Sequence, residues 1–562
     1  MASKKSTTKK FTNFELVKWL SGISFKEFQN GKNLVELCSY KKISLWPSVI
    51  SDVCVVLNNK QVYFKEPDKT NKLGIIYKKL FFAEPLLDFG KKLFALSLYC
   101  LQIFKRKKRK HKVMFFSLPK AWRNVYSLNG SNRFGDVHYD SLIKKFSKEK
   151  YGVESISVSP IMNFRDLYNP ISMLKRALNP DNLLLPLEMF WSWGVFKERN
   201  SASRHFAEKW GTIKKGDSKA GFFTYHSTDF SLKIFSQLGD FFTAHFANMV
   251  KNISIVDNLI EKEKPSLIVV PNVGGWFWQS VLIAAKKNNC PVLSTQHAVI
   301  YPSNSHYYTH PANDSKAKSF LCSPLPEKFA VYGDWTKKLV VQKFNYPESS
   351  VVVTGQSRYD VISQPEKIFN RETFCSNYNL NSAKKIVLFA VSLPIKPFID
   401  SERKIFKALR KIDDIQVVLK PHPRGDSKKY REIALEEGLD VKIIHEDSSV
   451  FESIFVSDLV ITHPSTIVTE AVMLSKPVIL IEFTDEKEEI PWIESGVALR
   501  VSEEKNVEEK IRQMLFDKNT IKKMSQARKK FVANHLYNLD GKSTQRQIDL
   551  IFQMIKNKTN QK

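Results

Sequence analysis

The sequence predicts an α/β protein built from two successive doubly wound parallel-sheet domains that face a cleft, preceded by an N-terminal extension. Three observations lead there. A chain of 562 residues is too long for one ordinary hydrophobic core. From Val113 onward, short continuous apolar runs alternate with amphipathic stretches, which is the pattern of a parallel sheet covered on both faces. A second and cleaner series of the same kind begins at about Lys384, so a joint is expected between residues 360 and 384.

Hydrophobic content of 43% with 26% charged residues belongs to a globular chain and excludes a disordered one. The formal net charge of +30 points to an acidic partner: nucleic acid, anionic lipid headgroups or a phosphorylated substrate. Cys38, Cys54, Cys100, Cys290, Cys322 and Cys375 are scattered without a Cys-x-x-Cys pair, which fits a reducing cytoplasm rather than a disulfide framework or a zinc finger. "MASKKSTTKKF" is basic but lacks a following apolar core, so no secretion signal is expected. "LFALSLYCLQIF" falls short of the ~20 apolar residues of a spanning helix.

Residues 1–112 form the extension. "VCVVLNNKQVYF" predicts a strand pair around an Asn-Asn turn, and Leu73 to Phe104 predicts one or two amphipathic helices. The basic run Lys105, Arg106, Lys107, Lys108, Arg109 and Lys110 follows directly. An amphipathic helix abutting such a run suits an anionic membrane face; a core helix followed by a solvated linker is the bland alternative. Nucleic acid is a weaker partner, because no aromatic-interleaved basic surface or reader motif accompanies the run.

Residues 113–360 form the first predicted domain, with strands at "VMFFSL", "VESISVSP", "PSLIVVP", "PVLSTQH", "KFAVYG" and "SVVVTG". The loop "PKAWRN" follows the first strand, "YDSLIKKFSKEKY" is a helix, and a helical middle region precedes "PSLIVVP". "NVGG", with Asn272, Gly274 and Gly275, either admits a substrate close to the backbone or shapes a turn. Residues 361–520 form the second domain, with strands at "KKIVLFAVSL", "IQVVLKPHP", "VKIIH", "DLVITHP" and "PVILIEF". Residues 521–562 are basic helices expected to pack back on the first domain.

Ligands of open parallel sheets bind beyond the carboxyl ends of the strands. In the second domain Lys420, His422 and Arg424 lie at one such end, and His463, Ser465 and Thr466 at another. Free backbone N–H groups at a helix start, its dipole and two hydroxyls suit a phosphate. Glu470 sits one turn further in and suits a ribose diol. A plain Ser465 N-cap with a solvated Glu470 is the alternative; "KPHPR" one strand earlier favours the phosphate. "DGKST" at 540–544 is no P-loop, since Leu536 stands where the first glycine is required. His306 and His310 in "HYYTH" make a poor metal pair next to Pro311, and no Asp-x-Asp occurs, so neither metal nor cofactor is expected.

"QHAVIYPSN", "VTGQSRYD", "KPHPR", "THPSTIVTEAVMLSKPVILIEF" and "NLDGKSTQRQIDLI" occur in this order. Together they resemble the GT-B-type nucleotide-sugar enzymes of prokaryotic surface polysaccharide synthesis, among them capsule sialyl/Kdo-type transferases and CDP-glycerol glycerophosphotransferases. The UDP-GlcNAc 2-epimerases share the layout. The resemblance covers about residues 113–555 and leaves the first 112 unmatched. It implies two Rossmann-like domains, a nucleotide-sugar donor on the second and a glycan or lipid-linked acceptor on the first. It also implies phosphate contacts from Lys420 and His422 and from Ser465 and Thr466, a ribose contact from Glu470, and an interdomain segment whose Gly355, Ser357 and Arg358 face the cleft. An epimerase needs an acid after the strand where this chain has Gln296 and His297 in "QHAVIYPSN", which disfavours it. His297 is the expected general base; a strand cap, or a residue that only orients substrate, is the alternative. The expectation is therefore a glycosyltransferase, or polyol-phosphate transferase, peripheral on the inner face of the cell membrane. The rivals are a 2-epimerase and a non-catalytic basic surface-binding protein.

Overall fold

Seven strands make the first sheet: β1 (His111–Phe116), β2 (Val153–Ser159), β3 (Leu183–Pro186), β4 (Leu267–Val270), β5 (Val292–Thr295), β6 (Lys328–Val331) and β7 (Val351–Val353). Six make the second: β8 (Lys385–Ala390), β9 (Ile415–Lys420), β10 (Val441–Ile443), β11 (Leu459–Thr462), β12 (Val478–Ile481) and β13 (Leu499–Val501). They come from a computed structural model that describes the chain except residues 1–10, 59–83, 107–108, 149–150, 162–169, 217–220, 310–323, 392–397, 423–426, 446–447, 484–488 and 561–562.

The first sheet has the order β7-β6-β5-β4-β1-β2-β3 and the second β10-β9-β8-β11-β12-β13. Every neighbouring pair is parallel. Each sheet therefore starts in its middle, grows to one edge, then returns to grow the other way. The reversal falls between β1 and β4 in the first sheet and between β8 and β11 in the second, and a crevice opens at such a point beyond the carboxyl ends. This is the expected pair of Rossmann-like domains.

Both faces of both sheets are buried, which is why the strands read as unbroken apolar runs. Along β1, Met114 and Phe116 join one core while Val113 and Phe115 join another. Along β8, Ile386 and Leu388 face one way and Val387 and Phe389 the other. The helix Ser543–Asn560 supplies Ile548, Ile551, Met554 and Ile555 to the Val113/Phe115 side, so the C-terminus covers a face of the first sheet.

Residues 53–57, expected as strand, lie in a helix, Ile50–Leu57. Val53, Cys54 and Leu57 are buried in the core that also holds Leu16, Trp46, Phe206 and Phe242, and this one-sided burial outweighs the strand preference of β-branched residues, which is worth only tenths of a kcal/mol. The second half of the expected strand pair, and Leu73 to Ala83 of the expected amphipathic region, lie outside the described residues. Trp122–Tyr126 and Asn132–Asp136 form an antiparallel hairpin where only a loop is expected. β3 lies within a stretch expected to be helical, and β13 is an additional edge strand.

Candidate functional site in the interdomain cleft

The carboxyl ends of the two sheets face one another. The loop after β5 carries His297 and reaches the second domain: Val299 N–H approaches Thr466 Oγ at 3.5 Å, and Ser303 N–H donates to Glu489 at 2.5 Å. From β1 the hairpin extends across the cleft, with the Tyr126 ring 5.1 Å from that of Phe369. Arg123, Asp136, His138 and Arg358 together with Ser449 and Phe451 line the pocket between them.

His297 and His138 stand edge to face with ring centroids 5.8 Å apart. Burial lowers the pKa of His297; the nearby Pro271 carbonyl opposes this and the Arg358 charge reinforces it. His138 is held well below the usual histidine range, by burial first and then by His297, Arg358 and Arg123. Both rings are therefore neutral at physiological pH, and the buried Nδ1 of His138 has no hydrogen-bond partner. Asp136 accepts the backbone N–H groups of His138 and Tyr139 at 2.8 and 3.2 Å, and burial pushes its carboxyl up to about 6.

Ser465 precedes the helix Thr466–Met473 with extended backbone, as an N-cap does, yet its side chain makes no capping bond. Its Oγ is buried without a partner. An unpartnered hydroxyl at a helix start on a switch point suits an anion. The far end of that helix is fixed by Arg528, which donates to the Val472 and Met473 carbonyls at 2.7 and 2.6 Å.

The other expected residues divide. Arg358 lines the pocket and ion-pairs with Glu470, its guanidinium lying over the Tyr359 and Phe451 rings. Glu470 is 2% exposed, so its carboxylate serves this pair and is not open to a ribose diol. Gly355 faces the C-terminal helix rather than the cleft; with φ +71° and Ser543 Oγ 2.5 Å from any added Cβ, only glycine fits. Ser357 is buried, its Oγ donating to the His138 carbonyl at 3.1 Å, so it braces the cleft loop from behind. Gln296 is likewise internal: its Oε1 accepts from Tyr332 N–H at 2.8 Å and its carbonyl accepts from Gln356 at 2.6 Å. His463 packs on Phe398 with 4.8 Å between centroids, 3.4 Å from Glu402.

Lys420 is buried and donates to the His445 carbonyl at 2.7 Å, while His422 is half-buried at the end of β9. Asn272 Oδ1 accepts from Val273 and Gly274 N–H at 2.7 and 3.0 Å, a side-chain turn. Gly274 lies against His306, and Gly275 has φ +84° ahead of the helix Trp276–Lys287, so "NVGG" shapes a turn here. Arg424 and His310 lie outside the described residues.

In the basic run, Lys105 donates to the Ala177 and Asn179 carbonyls at 2.6 and 2.8 Å, and Arg106 pairs with Glu263 at 2.7 Å. Both serve the protein rather than a membrane, because unpaired carbonyls and a carboxylate await them. Arg109 and Lys110 are exposed, and Lys107 and Lys108 lie outside the described residues. Among the described residues no helix is long and apolar enough to cross a membrane.

His138, Asp136 and Arg123 are the site residues that motif reading misses. Their signal is positional: "PKAWRN", with Arg123, and "RFGDVHYD", with Asp136 and His138, follow the first strand of the sheet, at a carboxyl end.

The family model described as UDP-N-acetylglucosamine 2-epimerase matches residues 329–551, less than half of the chain. No curated protein matches. Among solved structures, the chain is similar to the Staphylococcus aureus MnaA–UDP complex, at 17% identity and TM-score 0.47, over 78% of this chain and 95% of that one. The UDP-GlcNAc 2-epimerase from Neisseria meningitidis bound to UDP-GlcNAc has 14% identity and TM-score 0.48, over 79% and 99%. The wall teichoic acid polymerase TagF, soaked with CDPG, has 12% identity and TM-score 0.45, over 84% and 99%.

Proposed function

We propose that the protein is a transferase that moves a sugar, or a polyol phosphate, from a nucleotide-activated donor onto a surface glycan or lipid-linked acceptor. Two observations support the reading: burial lowers the pKa of His297, just beyond the carboxyl end of β5 in the first sheet, and the Ser465 hydroxyl is unpartnered at a helix start beyond β11 in the second. The family match over residues 329–551 supports a nucleotide-sugar donor on the second domain. The donor phosphates would meet the N–H groups of the helix Thr466–Met473, the Ser465 and Thr466 hydroxyls and His422. Fixed donors of this kind stabilise the charge that develops on the departing nucleotide. His297, neutral, would take the proton of the acceptor hydroxyl as that oxygen attacks. Arg123 supplies positive potential at the pocket wall, where Arg358 is already paired with Glu470.

The test is nucleotide binding by calorimetry. His422→Ala and Ser465→Ala each remove a hydrogen bond to an anion, worth ~1.5–3 kcal/mol, and both variants should keep the wild-type melting temperature. Unchanged affinity in a folded double variant would sink the assignment.

A second reading has its own observation. Asp136, a buried carboxyl with pKa about 6, lines the pocket and supplies the acid that "QHAVIYPSN" lacks. That favours epimerisation, as does the description of the matching family. The backbone N–H groups of His138 and Tyr139 both meet Asp136 Oδ1 and leave Oδ2 unpartnered, and the two readings part on whether a proton leaves carbon.

A further inference from the structure

We infer that the outer face of the helix Glu84–Cys100, with the turn that follows it, docks the protein on an anionic lipid bilayer. The inner face of this helix is pinned by three polar contacts. Asp88 pairs with Lys251, Gln102 exchanges hydrogen bonds with the Leu184 backbone, and Lys105 holds the carbonyls of Ala177 and Asn179. Ala95 and Leu98 pack beside them against Met173 and Ala177. The helix therefore cannot roll, and what points outward is fixed. Leu86, Phe89, Leu93, Ile103 and Phe104 point outward; Leu86 is 70%, Leu93 52% and Phe104 77% exposed. Leu86, Phe89 and Leu93 follow one helical face, and Ile103 and Phe104 belong to the turn after it. The neighbouring helix Pro170–Leu178 adds exposed Leu174 and Leu178, so the apolar area is contiguous rather than scattered, which marks a docking surface.

Charge selects the occupant. Among the described residues from 85 to 110 the sole carboxylate, Asp88, is buried and paired, whereas Arg109 and Lys110, a few residues after the turn, are exposed, as is Lys175 on the neighbouring helix. An apolar face followed by exposed cations is complementary to acyl chains beneath anionic headgroups. The attachment therefore belongs to the apolar face with Arg109 and Lys110, not to Lys105 and Arg106. The inference does not depend on the transferase reading.

The test is co-sedimentation of the full chain with vesicles of phosphatidylcholine, with and without phosphatidylglycerol. The wild type should pellet with the anionic vesicles, less so as salt rises. Leu93→Ser combined with Phe104→Ser should weaken binding by at least about tenfold, since each apolar side chain left in water costs that much or more. Arg109→Ser combined with Lys110→Ser should weaken it on anionic vesicles only. Leu232→Ser, which removes a 90% exposed leucine from another helix, should change nothing. Nucleotide affinity should be the same in all. A wild type that ignores both vesicles, or a folded Leu93/Phe104 variant that binds like wild type, would overturn the inference. So would a wild-type dimer that this variant splits, because a second copy would then cover the face.

Discussion

Arg358 and Glu470 are 112 positions apart and form a buried ion pair at the cleft wall. Removing one partner of such a pair leaves a charge without water or counterion, at a cost of about 3–5 kcal/mol. Arg358→Met should lose stability on that scale in urea unfolding; a loss below about 1 kcal/mol would mean that water or another cation replaces the guanidinium. Nothing in "THPSTIVTE" announces this partner, because a helix motif reports spacing along the chain and not what the other domain brings to it. The helix start at the end of a strand is legible, since an apolar run, a His-Pro turn and a Ser-Thr pair mark it. The fate of Glu470 is not. His138 makes a second residue-scale prediction. Its pKa is depressed in the folded chain, whereas in the unfolded chain it protonates near ~6.5. Between those values the unfolded state binds the extra proton, so the stability due to neutral His138 is complete above ~6.5 and is lost as pH falls through the window. The difference in unfolding free energy between wild type and His138→Asn should therefore favour wild type more at about pH 7.5 than at about pH 5. An equal difference at both would contradict the assignment.

At the scale of elements, the segment "DGKST" shows why a helix start is not always a ligand site. The N–H groups of Ser543 and Thr544 are taken by the Asp360 carboxylate at 2.9 and 2.8 Å. An internal carboxylate already occupies the position an anion would fill, and it ties the C-terminal helix to the joint between the domains. Asp360→Ala should cost about 0.5–2 kcal/mol, the usual worth of such a cap. It should also speed amide hydrogen exchange selectively over residues 543–560; exchange unchanged there would show the helix held by packing alone. Most elements are legible because continuous apolar runs and helical periods differ in length and spacing. The helix Ile50–Leu57 is not, because "VCVV" has strand propensity while its burial pattern depends on Phe206 and Phe242, far away in sequence. The hairpin Trp122–Asp136 escapes because "SLNGSN" reads as part of a longer loop rather than as the turn between two short strands.

At the scale of the molecule, two sheets whose reversal points face each other make the cleft to which we assign a base on one wall and an anion site on the other. The two domains are legible as two rhythms of the sequence. Their mutual orientation is not, since it rests on contacts such as Val299 with Thr466 and Ser303 with Glu489 that join loops of different domains. Within that cleft His297→Ala should lower turnover by ~10²–10⁴ with little change in donor affinity, as loss of a general base does; near-normal turnover in steady-state assays would remove His297 from that role. The most direct test of the central claim is to follow a panel of nucleotide-activated donors by NMR in deuterated water, with purified protein and membrane extract as acceptor source. Transfer predicts release of the nucleotide, dependent on the extract, and recovered donor without deuterium at C2 of the sugar. Deuterium at that carbon, with the epimer accumulating and no acceptor needed, would contradict the transferase account and make Asp136 the residue to pursue.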